Sequence, residues 1–278
     1  MKVKVLESGP AGMKLLFEET NPQVVNAIRR SILADVPKMA IEDVEFHLGP
    51  IRGEEGKEFE SITPLFDEII AHRLGLLPIP TDLKQFVPRS KCKTCNGEGC
   101  PSCTLIYSLN KQGPCTVYSK DLEPVGGKEY RIRDENVPIV KLGPGQALLV
   151  YATAILGTGK EHAKWQIVNS IGHKYYPSIE IDSKKCDLGG SCVKTCPKNI
   201  LKLEGDRLVV QNLEDCTLCM SCVEACDAGC IKVSGDDSKI LLRFETDGTM
   251  NSGDIVEYAV DHLSGFFDEL KEKIEKLD

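Results

Sequence analysis

The sequence predicts an α+β protein, with strand-and-helix segments at both ends of the chain and loop-rich and cysteine-rich segments between them. Three observations predict it. The first residues alternate with period two and then switch to helical spacing. Residues 41–165 break into short strand-like runs divided by Gly and Pro. The C-terminal residues return apolar side chains every three or four positions.

The elements follow in order. "MKVKVLES" alternates, "GPAG" supplies a turn and "MKLLFEE" is a second extended run, which reads as a hairpin. In "TNPQVVNAIRRSILADVP", Asn21 can cap a helix, Pro22 suits its first position, Val24, Val25, Ile28 and Ile32 recur at helical spacing, and Pro37 ends it. "DVEFHL", "CTVYS" and "QALLVYATAI" read as strands of a loop-rich middle segment, and "YYPSIEID" and "SKILLRFETDG" as later strands. In the closing helix Val256, Val260, Leu263, Phe267, Leu270, Ile274 and Leu277 form one apolar stripe opposite a charged face. That stripe has two readings of equal weight, packing on the chain's own sheet and packing on a second subunit.

At 278 residues and 41% hydrophobic content the chain can fill a real core. A net charge of -8 argues against a broad nucleic-acid face, so no direct, specific nucleic-acid binding is expected. No apolar run reaches membrane-spanning length and "MKVKVLESG" lacks a secretory h-region, so no membrane contact and a cytoplasmic location are expected.

In a chain of this kind thirteen cysteines favour metal ligation over disulfides. Cys216, Cys219, Cys222 and Cys226 have bacterial ferredoxin spacing, in which three thiolates hold one cluster and the fourth reaches the other. An earlier motif, "KCDLGGSCVKTCPKNI", keeps Cys186, Cys192 and Cys196 but has Gly189 where its second cysteine would fall. Crossed pairing makes Cys196, Cys216, Cys219 and Cys222 a complete set for a 4Fe-4S cluster. Cys186, Cys192 and Cys226 form an incomplete set. It suits a 3Fe-4S cluster, a 4Fe-4S cluster completed by Asp187, Cys230 or a small molecule, or no cluster. "KCKTCNGEGCPSC" supplies Cys92, Cys95, Cys100 and Cys103 as two CxxC pairs, the pattern of a closed structural zinc site. Cys115 stands alone and has no assigned role.

No catalytic constellation emerges. His72, His162 and His173 have no nucleophile pattern beside them, and "GTGKEH" lacks full phosphate-loop spacing.

Three stretches outside the cysteines carry a resemblance. "NPQVVNAIRRSILADVP" resembles the first helix of the alpha-like subunits of cellular RNA polymerases. "DEIIAHRLGLLPIP" and "GTGKEHAKWQIV" resemble two further motifs of the archaeal and eukaryotic branch. Together they span most of the chain, which is similar to the alpha-like D subunits of archaeal RNA polymerase in the form with a ferredoxin-like insertion. The resemblance implies a dimerisation domain split over residues 1–40, 166–182 and 236–278. An inserted second, mainly β domain would occupy 41–165 with its zinc-like loop at 92–103, and a ferredoxin-like domain 183–235. It also implies a subunit without an active site, which pairs with subunit L, gathers subunits N and P and forms a platform for the large catalytic subunits. Arg29 and Arg30 match the family's paired arginines on the first helix, which implies an assembly role. The alternative, an electron-transfer subunit of an oxidoreductase, rests on the cysteine-rich segment alone. Residues 183–232 balance seven acidic against seven basic side chains, which offers a basic redox partner no net attraction.

Overall fold

A computed structural model of the chain describes residues 1–52 and 58–277. In chain order the first elements are β1 (Lys2–Gly9), β2 (Gly12–Glu18), α1 (Pro22–Ala34), β3 (Pro37–Phe46), β4 (Pro50–Arg52), β5 (Glu58–Glu60) and α2 (Asp67–Gly75). Next come β6 (Thr104–Gln112), β7 (Cys115–Tyr118), β8 (Glu123–Pro124), β9 (Pro138–Leu142), β10 (Ala147–Thr158) and β11 (Val168–Ile181). The chain continues through α3 (Ser191–Thr195), β12 (Leu201–Glu204), β13 (Arg207–Val210), α4 (Ser221–Glu224), β14 (Ile231–Thr246) and α5 (Ser252–Glu275). This is the α+β class that the sequence predicts.

The chain divides into two compact units. One is made of Met1–Glu7, Met13–Arg29 and Ile171–Phe244, the other of Ser8–Gly12, Arg30–Ser170 and the residues from Glu245 onward. In the first, strands from both ends of the chain join in a four-stranded sheet of order β1-β2-β14-β11. β1 is an exposed edge on which Lys2 and Lys4 alternate with Val3 and Val5; Lys4 pairs with Glu18 at 2.8 Å. Charged edge residues of this kind discourage pairing with further strands. β2 is the covered neighbour, with Met13, Leu15, Leu16 and Phe17 buried.

α1 starts as its sequence demands. The Asn21 carboxamide oxygen accepts the Val24 N–H at 3.0 Å, and Pro22 follows the cap, where its missing N–H costs nothing. Val25, Ile28 and Ile32 are buried, each worth about 1.5–3 kcal/mol. Val24, which shares the apolar spacing, is exposed. The first turn turns it outward.

The second unit is built on an antiparallel sheet of order β3-β10-β6-β8, with Ala154 opposite Ile41 and Leu105. β3 opens with five buried residues, Pro37–Ile41, and pairs along its length with β10, so the sheet of this middle segment begins before residue 41. α2 was not foreseen as a helix. It places Ile70 and Leu74 in the core, and the following Leu77 and Ile79 join them beside Tyr107, Leu109 and Leu148. Its acidic first turn (Asp67, Glu68) and basic last turn (His72, Arg73) match the helix dipole.

The "GTGKEHAKW" stretch is a packed turn. A Cβ at Gly157 would lie 2.4 Å from the Trp165 indole, and one at Gly159 would lie 2.3 Å from the Leu33 carbonyl oxygen, so both positions require glycine. Glu161 accepts the Thr158 N–H at 2.7 Å, and His162 Nδ1 accepts the Lys164 N–H at 3.1 Å. Glu161 and His162 hold the backbone of the stretch, and Lys164 donates to the Ile41 carbonyl of β3 at 3.0 Å.

Candidate metal centres and exposed helix face

In the middle segment the cysteine loop hangs between a 3-10 turn at Arg89–Lys91 and the start of β6. Asn96, Gly97 and Gly99 take left-handed backbone conformations (φ +51°, +93° and +112°), which bend "NGEG" back on itself. Arg89 clamps the bend by donating from Nε to the Gly97 carbonyl and from Nη2 to the Glu98 carbonyl, both at 2.8 Å. The sulfurs of Cys92, Cys95, Cys100 and Cys103 all lie within 4.8 Å of one another. Cys92–Cys100, Cys95–Cys103 and Cys100–Cys103 are 3.6, 3.5 and 3.8 Å apart. Four thiolates about 2.3 Å from a tetrahedral zinc are about 3.8 Å from one another, so this donor set fits the ion.

Backbone N–H groups also point at the sulfurs, Gly99 at Cys95 and Cys100 at Cys103, both at 3.3 Å. Backbone N–H groups of Cys95 and Thr94 hold the Cys92 thiol down at about 6, which favours the thiolate. Burial pushes Cys103 up to about 12.

The cysteine-rich segment is a doubled turn. Cys186, Cys192 and Cys196 each stand thirty residues before Cys216, Cys222 and Cys226. The backbone repeats with them: Leu188 and Leu218 have φ +58° and +56°, Gly190 and Met220 +73° and +64°, Asn199 and Gly229 +51° and +57°. α3 carries buried Cys192 and α4 carries buried Cys222; the two short helices pack together, and the β12–β13 hairpin separates the halves.

Each half places its last cysteine beside the other half. Burial pushes the Cys222 thiol up, and the neighbouring Cys196, Cys216 and Cys219 thiols push it further. Burial likewise raises Cys192, with Cys226 and Cys186 as the thiols beside it. Cys222 thus has Cys196, Cys216 and Cys219 for neighbours, and Cys192 has Cys226 and Cys186. Cys219 is the exposed member of the first group.

Sequence reasoning missed two contributors, Lys174 and Arg89. Lys174 on β11 donates to the Glu214 and Cys216 carbonyls at 2.5 and 2.7 Å and so supports the second motif. Arg89 supports the zinc-like loop. Cys230 lies with its sulfur 3.3 Å from that of Cys226; its thiol is pushed up to about 12, first by burial and then by Cys226 and Cys186. It is one of the completions that the sequence leaves open for the incomplete set. Cys115 is outside both centres and donates its thiol to the Gln112 carbonyl at 3.3 Å. His72 is exposed and His162 serves its turn.

α5 is anchored at its start and exposed along most of its length. Asn251 caps it by accepting the Gly253 N–H at 3.0 Å, and Ser252, Ile255 and Ala259 are buried. From Val260 onward the helix leaves the core: Phe267 is 59% exposed, Leu270 46% and Ile274 54%. Beyond Ala259 the helix keeps a half-buried Leu263 and a His262–Asp35 contact at 3.8 Å, and most of the stripe is exposed.

A strand framework from both chain ends, a thiolate-bearing insert and a doubled cluster turn define an alpha-like subunit of a multi-subunit RNA polymerase with an iron-sulfur domain. The model of the RNA polymerase Rpb3/RpoA insert domain matches residues 51–184, and that of the 4Fe-4S dicluster domain matches 178–227. The chain is 38% identical over 263 residues to DNA-directed RNA polymerase subunit Rpo3 of Thermoplasma volcanium, covering 95% of each. It is 38% identical over 262 residues to that of Picrophilus torridus, covering 94% of this chain and 95% of the relative. To that of Methanosarcina acetivorans it is 34% identical over 279 residues, covering 100% and 99%. The chain belongs to the Rpo3 family of DNA-directed RNA polymerase subunits.

Proposed function

We propose that this chain is the non-catalytic assembly subunit of an archaeal RNA polymerase, pairing with subunit L through the outer part of α5. The observation that carries this is the run of exposed apolar residues Val260, Phe267, Leu270, Ile274 and Leu277, in a chain of the Rpo3 family. An exposed run of this length with two adjacent phenylalanines, Phe266 and Phe267, is the kind of surface that marks a protein contact. Residues 1–40, 166–182 and 236–278 form the pairing module, on which subunits N and P and the large catalytic subunits then gather. Residues 41–165 carry a structural zinc site at Cys92, Cys95, Cys100 and Cys103, and residues 183–235 carry the clusters. Arg29 and Arg30 on α1 face the assembly: Arg30 is exposed, and Arg29 donates from Nε to Asn26 at 3.0 Å.

In this reading the metals brace folds. Binding thiolates and folding the loop around the metal are one event, so the metal's binding energy is folding energy. No described helix is long and apolar enough to cross a membrane.

Co-expression with subunit L, followed by size-exclusion chromatography with light scattering, tests the reading. A one-to-one heterodimer is expected. Phe267→Asp combined with Leu270→Asp should abolish it while leaving the far-UV circular dichroism of the chain unchanged, since both side chains face solvent. A chain that stays alone when offered L, N and P overturns the proposal.

A further inference from the structure

The incomplete cysteine set has a fourth thiol that its motif does not announce. We infer that Cys230 is the missing ligand of the second cluster site, completing Cys186, Cys192 and Cys226 as a four-thiolate site for a 4Fe-4S cluster. This rests on the iron-sulfur reading of residues 183–235.

The internal repeat locates the gap and its substitute. By the thirty-residue offset Gly189 stands where the second half has Cys219, so one half has lost a ligand. By the same offset Cys230 stands where the first half has Ile200, a buried apolar residue of the same core. Crossed pairing sends Cys226 to the set that Gly189 depletes. A cysteine four residues past Cys226 therefore falls beside the one site that lacks a thiolate.

The placement agrees, and the Cys226 and Cys230 sulfurs, 3.3 Å apart, must separate by side-chain rotation for each to hold its own iron. Cys186, Cys192, Cys226 and Cys230 line a single pocket, with Gly189 and Asp187 on its wall. The Asp182 N–H donates to the Cys230 carbonyl at 2.8 Å, and the Cys186 N–H donates to the Asp182 carbonyl at 3.1 Å, so one residue ties both cysteines together. Cys230 itself is buried. Asp187, a carboxylate on the same wall, already accepts the Gly189 N–H at 3.0 Å and holds the turn. Thiolates are also the softer donors, and iron-sulfur clusters take them by preference. On ligation the Cys230 thiol gives up its proton to solvent and its sulfur bonds to iron; no redox step is needed. The dicluster match ends at residue 227 and leaves Cys230 unassigned.

The test is anaerobic reconstitution of the full chain with iron and sulfide, followed by iron counting and electron paramagnetic resonance of the oxidised protein. The wild type should hold about eight irons in two four-iron clusters. Cys230→Ala should lose about one iron and gain the signal of an oxidised three-iron cluster. Cys115→Ala should change neither. The decisive variant is Gly189→Cys with Cys230→Ala, which restores the motif and should return the lost iron. Gly189 is not in the left-handed region, and the nearest atom to a Cβ there would be an Asp187 carboxylate oxygen, at 3.3 Å. A wild type that already holds a three-iron cluster, or a single four-iron cluster, overturns the inference and leaves the complete site standing. An unchanged Cys230→Ala overturns it equally. So does a Cys226–Cys230 disulfide found by mass spectrometry in the reconstituted protein. A wild type that takes up no iron at all overturns the iron-sulfur reading itself.

Discussion

The Lys174 ammonium on β11 lies 2.7 Å from the carbonyl oxygen of Cys216, and it donates to the Glu214 carbonyl as well. One side chain of the framework sheet thus holds the loop that carries Cys216. Hydrogen bonds from a charged donor contribute about 1.5–3 kcal/mol each. Lys174→Met should lower stability by about that much and bleach the cluster several-fold faster in air, followed by visible absorbance.

Replacing Cys219 and Cys222 by Ser should remove the absorbance of the complete cluster, because both belong to its set. The effect on pairing with subunit L should be weaker. A double variant retaining full iron content would contradict the ligand assignment.

In the zinc-like loop, Cys103→Ser should abolish the roughly one zinc expected per chain in a closed four-thiolate site, counted by native mass spectrometry. Arg89→Ala keeps the ligands but frees the Gly97 and Glu98 carbonyls from their clamp. It should retain zinc yet release it faster to a chelator.

Lys38 and Asp247 form a buried ion pair that ties β3 to the turn after β14, and Asp247 also accepts the Thr249 hydroxyl at 2.6 Å. Removing one partner leaves a buried charge uncompensated, at a cost of about 3–5 kcal/mol. Asp247→Ala should therefore lower the melting temperature more than Lys38→Met combined with Asp247→Val, which removes both charges.

His173 titrates below its ordinary value, first because burial disfavours the imidazolium and then because the Arg29 charge repels it. Below 6.5 the unfolded chain then binds more protons than the folded one. The stability contribution is fully present above 6.5 and is lost as pH falls toward the lowered folded value. His173→Gln should flatten that part of the pH profile in urea titrations.

Local chemistry was legible without a fold. Asn21-Pro22 begins a helix because its cap and its missing N–H act within one turn, and β1 and β2 declare themselves by alternation. The cysteine motifs show their spacing directly, and the same spacing implies crossed sets. α2 and β6 were harder. "DEIIAHRLG" is short and only two of its residues are buried, while "TLIYSLNKQ" follows the cysteine loop without a turn signal.

Sequence by itself determined the two cysteine centres, the α+β class and the family resemblance, because each is written in spacing along the chain. Tertiary structure decided which thiols share a pocket, which end of α5 is covered, and that Lys174 and Arg89 serve the metal loops. These depend on contacts between residues far apart in sequence. A cysteine such as Cys230, outside any motif, shows its neighbours only when the second half of the repeat folds back against the first.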